Sequence, residues 1–283
     1  MKVIEVLVSR DGHSRKYLQQ TKDGHIIETG YFDLAEQIIC LSSQIGCPLG
    51  CIFCATTAPV DKINPRKNFI RNLTAAEITM QAENVIGDIK SKTKKPVLFS
   101  YMGMGEPLLN YKNVVKSIKK LSRKYSNSRT TISTSGVRPK LIKKFAEEKF
   151  AGVVNLHFSL HAPNIALRKK IMPSAGSIKN GLEALKYFSD KKKLTCKVNY
   201  VLIKNINDSE KNARELVGLL KPYDFAVKLI SLNRFNGLKR ATADGTSKFE
   251  RILNSAGIKT VRFLSDGPDI KPGCGQLRRH YYG

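Results

Sequence analysis

The sequence predicts an α/β fold, a partial (βα)6 barrel preceded by a small N-terminal antiparallel β extension. From about residue 36 onward, short β-branched runs alternate with longer helical patterns, as parallel strands joined by crossover helices require. The first thirty residues instead alternate polar and apolar positions around two Asp-Gly pairs, a hairpin signal. Finally, four of the six cysteines fall between residues 40 and 54, at and just beyond the first strand of the barrel. The C-terminal ends of strands are where such folds place their chemistry.

In the extension, strands are expected at 3–8, 16–19 and 25–28, separated by Asp11-Gly12 and Asp23-Gly24, so that residues 1–33 form one unit and 34–283 the barrel. Within the barrel the expected strands are 37–42, 97–102, 129–134, 153–160, 194–203 and 225–232. Helices are expected at 74–90, 111–124, 138–149, 178–190, 209–220 and 246–256, with Thr74, Asp208 and Thr246 as N-caps. A short run at 259–263 follows. Six repeats are too few to close an eight-stranded barrel, so an open partial barrel or a doubly wound sheet is expected.

The chain has 283 residues, 41% of them hydrophobic, enough to bury a full core. Charges throughout the first thirty residues argue against a signal peptide. No stretch approaches eighteen uncharged apolar residues, the length a membrane helix needs. A soluble, cytoplasmic, monomeric protein is expected. The formal net charge is +26, strongly self-repelling in a compact fold and suited to a polyanionic partner. Charge alone does not separate nucleic acid from an anionic membrane surface, and lysine runs such as 90–95 and 191–193 also read as solvated helix faces.

Cys47-Pro-Leu-Gly-Cys51-Ile-Phe-Cys54 places three thiols on one loop. Iron-sulfur cubanes usually take four cysteines, so three would leave one iron open to an outside chelate. A structural zinc site would need a second close pair, and the sequence has none.

This loop on a βα scaffold resembles the radical S-adenosylmethionine (SAM) superfamily. Further segments, in family order, make the chain similar to the RlmN/Cfr family. They are Cys40-Leu-Ser-Ser-Gln-Ile-Gly-Cys47, Arg71-Asn-Leu-Thr74, Gly103-Met-Gly-Glu-Pro-Leu-Leu-Asn110, Ser133-Thr-Ser-Gly136, Phe158-Ser-Leu-His-Ala-Pro163, Tyr200-Val-Leu-Ile203 and Cys274-Gly-Gln-Leu277. The resemblance implies a 4Fe-4S cluster on Cys47, Cys51 and Cys54. It implies SAM contacts at Gly105, Glu106, Ser133, Ser159, Leu160, His161 and Asn233. The implied activity is methylation of an adenine carbon in ribosomal or transfer RNA, carbon 2 in first place and carbon 8 as the Cfr-type alternative.

The same resemblance makes Cys274 the thiol that accepts a methyl group from one SAM and, after hydrogen abstraction, adds to adenine as a methylene radical. An aromatic carbon without acidity or a lone pair cannot attack SAM directly, and a radical carrier removes that difficulty. Cys40 is implied to release the product by forming a disulfide with Cys274, and Glu28 to accept a proton, although its spacing to Cys40 is one residue short. Structured RNA and an electron donor such as flavodoxin or ferredoxin are the implied partners. Cys196 has no family counterpart and reads as a strand residue. Two features depart from the pattern: the chain starts almost directly at the β extension, without the accessory helical domain of ribosomal members, and Asp266 stands where a basic residue is common. The basic tail 278–282 is expected to contact RNA in place of that domain. A radical SAM enzyme acting on another substrate, and a basic RNA-binding protein with a structural cluster, stay open as other readings.

Overall fold

The computed structural model describes residues 1–57, 68–89, 95–263, 268–271 and 273–282. Asp266, Pro272 and most of the 90–95 lysine run lie outside the described residues. Strands β1 (Lys2–Val8), β2 (Ser14–Gln20) and β3 (Ile26–Asp33) form the expected antiparallel extension. Gly12 and Gly24 turn the two hairpins at φ of 75° and 85°, where a Cβ would be strained. β3 then pairs antiparallel with β4 (Gln37–Cys40), so extension and barrel share one ten-stranded sheet.

After β4 a two-stranded ribbon of β5 (Gln44–Gly46) and β6 (Phe69–Asn72) stands apart from the main sheet. The parallel array continues from β4 through β7 (Val97–Tyr101), β8 (Ser128–Thr134), β9 (Val154–Ser159), β10 (Lys197–Leu202) and β11 (Ala226–Ser231). The run left outside the six repeats joins them, as β12 (Thr260–Phe263) parallel to β11.

The crossover helices are α1 (Ala75–Ile89), α2 (Tyr111–Lys124), α3 (Pro139–Glu147), α4 (Ile165–Ile171), α5 (Ile178–Lys192), α6 (Glu210–Leu220) and α7 (Ala243–Ser255). A final helix, α8 (Gln276–Tyr282), carries the tail. Each long helix turns an apolar stripe inward; α2 buries Val114, Val115, Ile118 and Leu121 at helical spacing. Thr74 caps α1 as expected, in a reciprocal pair with Glu77. The other two caps lie elsewhere. Ser209, not Asp208, accepts from the Asn212 amide at the start of α6, because Asp208 is engaged by the Asn205 amide. Thr242 caps α7 four residues before Thr246, accepting from Gly245, a first-turn glycine that made the helix read as starting later.

The main core packs Phe99, Ile132, Leu156, Val198 and Val227 of the sheet against the helices, Phe145 and Phe188 among them. Among the described residues no helix is long and apolar enough to cross a membrane.

Candidate active site

A cavity of about 320 Å³ occupies the barrel interior. The loop after β4, the C-terminal strand ends and the tail around Cys274 enclose it. All three loop thiols line it, with Cys47 and Cys51 buried. The loop is tied down along its length: the Cys47 amide donates to Asn68, Ile52 to the Ile171 carbonyl at the end of α4, and the Thr57 hydroxyl to the Cys54 and Cys51 carbonyls. Gly46, at φ 79°, lies so close to Asn68 that a Cβ would stand 2.1 Å from its carbonyl oxygen. Phe53, between the second and third thiols, packs edge-on against the His161 ring, with centroids 5.0 Å apart.

Burial pushes the Cys47 thiol up to about 12 and Cys54 to about 11, and Cys51 also well above its ordinary value. These sulfurs therefore stay protonated until a Lewis acid coordinates them. Among the described residues no three His, Cys, Asp or Glu side chains gather around a single metal-ion position. The three thiols of one loop, which share a wall, suit a cluster that takes each sulfur on a different iron.

Glu106 is buried at the N-terminus of the 3₁₀ turn Pro107–Asn110. Its carboxylate accepts from the Thr134 hydroxyl (2.6 Å), the Ser135 amide (2.8 Å) and hydroxyl (2.9 Å), and the Leu108 amide. These four donors fill its roughly four lone-pair directions. Burial raises its pKa against the pull of those bonds. Glu106 thus fixes the strand ends around the cavity, while the glycine turn beside it offers backbone. A Cβ on Gly103 would stand 2.6 Å from the Leu41 carbonyl oxygen, and one on Gly105 (φ 99°) 2.6 Å from Gln44.

Ser133, Ser159, His161 and Asn233 line the cavity. Ser133 accepts from Asn199 at 3.2 Å. Two side-chain carbonyl oxygens, Asn199 Oδ1 and Asn233 Oδ1, are buried without a protein partner, as for groups awaiting a polar ligand. With the glycine turn, Asn233 suits SAM. His161 adopts φ 57°, and its Nδ1 accepts from the Val201 amide; burial pushes its pKa down to about 3, so the ring is neutral. Leu160 differs from expectation. It is fully buried in the main core, not in the cavity wall, and its backbone carbonyl accepts from Arg168.

Sequence reasoning missed Arg168. Its buried guanidinium donates to the carbonyls of Ser135 (2.6 Å), Ser159 (2.8 Å), Leu160 and Gly176 (3.2 Å), lacing together the ends of β8 and β9. Burial lowers its pKa to about 10. Arg168 sits in a short amphipathic helix of ordinary composition, so nothing local marks it.

The tail brings in the other two cysteines. Gly275, at φ 83°, approaches the loop so closely that a Cβ would stand 2.3 Å from the Thr56 amide nitrogen. This seats Cys274 beside Cys40, within mutual hydrogen-bond reach, with Cys274 Sγ also donating to the Met102 carbonyl at 3.0 Å. The hydrogen bond from Cys274 lowers the pKa of Cys40, helped by the Lys16 charge; the same bond, with burial, holds Cys274 up. Glu28 is the anchor. Its carboxylate accepts from Lys16 Nζ (2.8 Å), the Gly275 amide (2.9 Å) and the Arg278 amide (2.6 Å). Lys16, a second residue the sequence reading missed, also reaches the Gly273 carbonyl at 3.3 Å. Arg278 is buried against the cysteine loop, so the basic tail does not present it to a partner; Arg279, His280 and Tyr281 remain exposed. Cys196 is buried in the main core next to β10.

Substituting Gly275 with alanine should displace Cys274. Because small misplacements of reacting groups cost roughly 10²-fold, methyl transfer should fall by that order, while reductive SAM cleavage persists. Single-turnover assays of the two steps check this.

A cysteine loop at the first strand end of a partial βα barrel, above a cavity lined by polar strand ends, defines a radical SAM enzyme. Residues 41–217 match the Radical SAM superfamily. The chain is 40% identical to a probable dual-specificity RNA methyltransferase RlmN of Dictyoglomus thermophilum, over 98% of this chain and 79% of that protein. It is 36% identical to the dual-specificity RNA methyltransferase RlmN of Nitratiruptor sp., over 100% and 82%. It also superposes on a radical SAM methyltransferase from Sphaerobacter thermophilus with a TM-score of 0.89 and 33% identity, over 98% and 81% of the two chains. The chain belongs to the RlmN family, and its cofactors are a 4Fe-4S cluster and SAM.

Proposed function

We propose that the protein methylates carbon 2 of an adenine in ribosomal or transfer RNA, with Cys274 as the methyl carrier. The observation that carries this reading is the pairing of Cys274 with Cys40 on the cavity wall, beside the cysteine loop. Cys47, Cys51 and Cys54 hold the cluster, and Gly105, Ser133, Ser159, His161 and Asn233 surround SAM, with Glu106 and Leu160 acting through the backbone they position. When bound, these cofactors supply a methyl group and a radical able to abstract hydrogen, with the electron coming from a flavodoxin or ferredoxin.

The residues of the chain do the rest. Cys274 takes the methyl group on sulfur and bonds through that carbon to the adenine ring. Glu28, held at the start of α8, receives the proton released as the ring regains aromaticity, and the electron given up with it would return to the cluster. Cys40, whose thiolate is favoured by the Lys16 charge, attacks the Cys274 sulfur; the Cys274–carbon bond breaks as the disulfide forms, and the freed carbon takes the proton back from Glu28 to become the methyl group.

Nucleoside mass spectrometry of RNA incubated with the reconstituted enzyme tests the proposal. It predicts 2-methyladenosine; 8-methyladenosine would overturn the position, and unmodified adenosine the activity. The charge of +26 supports a polyanionic substrate, as RNA is. Each phosphate contact should lower log K by roughly 0.7 to 0.9 per decade of salt, so binding should weaken steeply as KCl rises. A flat titration would contradict a polyanionic substrate.

A further inference from the structure

Lys228 is a half-buried cation that neither the fold nor the roles assigned above account for. It lies on β11 and faces into the same cavity as the two catalytic-type thiols. β4 and β11 are the outer strands of the six-repeat array, so Lys228 looks across the lumen toward Cys40, whose charge acts on it. Among the described residues no carboxylate and no hydrogen-bond acceptor meets its ammonium. The other ammonium in the lining, Lys16, is by contrast paired with Glu28. The Phe263 ring packs on Lys228, with Nζ 3.8 Å from the centroid. Across the neighbouring strands stand the unpartnered Nδ1 of His157, a residue 8% exposed, and the unpartnered Oδ1 of Asn199, a residue 1% exposed. Lys197 on β10 is the remaining charge acting on this cation.

Two buried polar atoms without partners, beside a half-buried ammonium that no acceptor meets, are costly unless a ligand completes them. One cation, one neutral imidazole and one carbonyl oxygen suit the edge of a neutral heterocycle; a phosphate would call for more donors.

We propose that Lys228 is a further catalytic residue, donating a hydrogen bond to the adenine ring nitrogen next to the carbon that Cys274 attacks. The inference rests on the functional reading above. A carbon-centred radical on the Cys274 side chain is electron-rich and adds fastest to an electron-poor ring. An ammonium on the adjacent nitrogen withdraws density from the reacting carbon and stabilises the charge that builds on the nitrogen as the bond forms. No proton need transfer. Burial and Lys197 lower the Lys228 pKa to about 8, which makes its N–H a stronger donor than an exposed lysine.

The test combines Lys228→Met and Lys228→Arg with RNAs carrying adenosine, 1-deazaadenosine or 3-deazaadenosine at the target. The rate of adduct formation is normalised to the fraction of Cys274 found methylated in the same sample. Lys228→Met should slow addition to native RNA roughly 10²-fold, and Lys228→Arg should recover most of that loss. With whichever deaza RNA lacks the partner nitrogen, Lys228→Met should cause no further loss. Equilibrium binding of the same RNAs to the holoenzyme should show the same coupling without turnover. Equal slowing on all three RNAs, or none on any, would overturn the role of Lys228 while leaving the functional reading intact. A wild-type enzyme that methylates no adenine would overturn both. Removing a half-buried charge that no carboxylate pairs does not threaten the fold, and thermal melts of both variants verify this.

Discussion

Replacing Cys47, Cys51 or Cys54 with alanine should abolish reductive cleavage of SAM. The three thiols share one loop, anchored at Asn68, Ile171 and Thr57, and no other cysteine stands on it. Cys40 and Cys274 are committed to each other across the cavity wall, and Cys196 is sealed in the main core. Nothing therefore substitutes for a lost sulfur. Production of 5'-deoxyadenosine after anaerobic reconstitution should fall to background in every single variant, together with the visible absorbance of the cluster. Stability should change little by comparison, since losing a small buried side chain without a cluster costs about 1 kcal/mol. If the triple alanine variant still makes 5'-deoxyadenosine, the three cysteines are not the ligands.

Cys40→Ala should separate bond formation from product release. Cys274 remains held by Gly275 against Thr56 and by its bond to Met102, so the methyl carrier and its approach to RNA survive. What disappears is the neighbouring sulfur that breaks the Cys274–carbon bond. Protein joined to RNA should therefore accumulate, migrating as one species on a denaturing gel and collapsing to free protein after nuclease treatment. Turnover should stop after a single round. Cys274→Ala should form no adduct, and the double variant should match it, because methyl acceptance precedes release. Rapid turnover by Cys40→Ala would remove this residue from the mechanism.

The cysteine loop was legible because its residues are neighbours in sequence and follow a strand. The hairpins were legible because Asp-Gly turns are local. The bounds of α2 came directly from the helical spacing of its apolar residues. Elements that depend on distant pairing were not visible: β5 and β6 are three and four residues long and exist through one another, and α4 is a seven-residue turn whose Arg168 acquires meaning only from carbonyls on other strands. The site divides the same way. Glu28 was found by resemblance, but its anchoring role rests on amides 247 and 250 residues away. Lys16 meets it as a diagonal neighbour across β2 and β3, where Leu18 is the direct partner of Glu28. Its inward position in an otherwise ordinary alternating strand gives no chemical signal. Glu106 was legible as a conspicuous carboxylate after a strand, yet its four protein donors, at and just past the end of β8 and on the 3₁₀ turn, make it an organiser of the strand ends.

The central claim is that the methyl group passes through Cys274, and a pulse-chase on the enzyme tests it most directly. Protein loaded with labelled methyl from SAM is separated from free SAM, then chased with RNA, unlabelled SAM and reductant. The label should first appear on the peptide containing Cys274 and then move into the methyl group on carbon 2 of adenine, with the two fractions conserved in sum. Label that enters RNA only from free SAM, leaving the Cys274 peptide unlabelled or undiminished, would contradict the account.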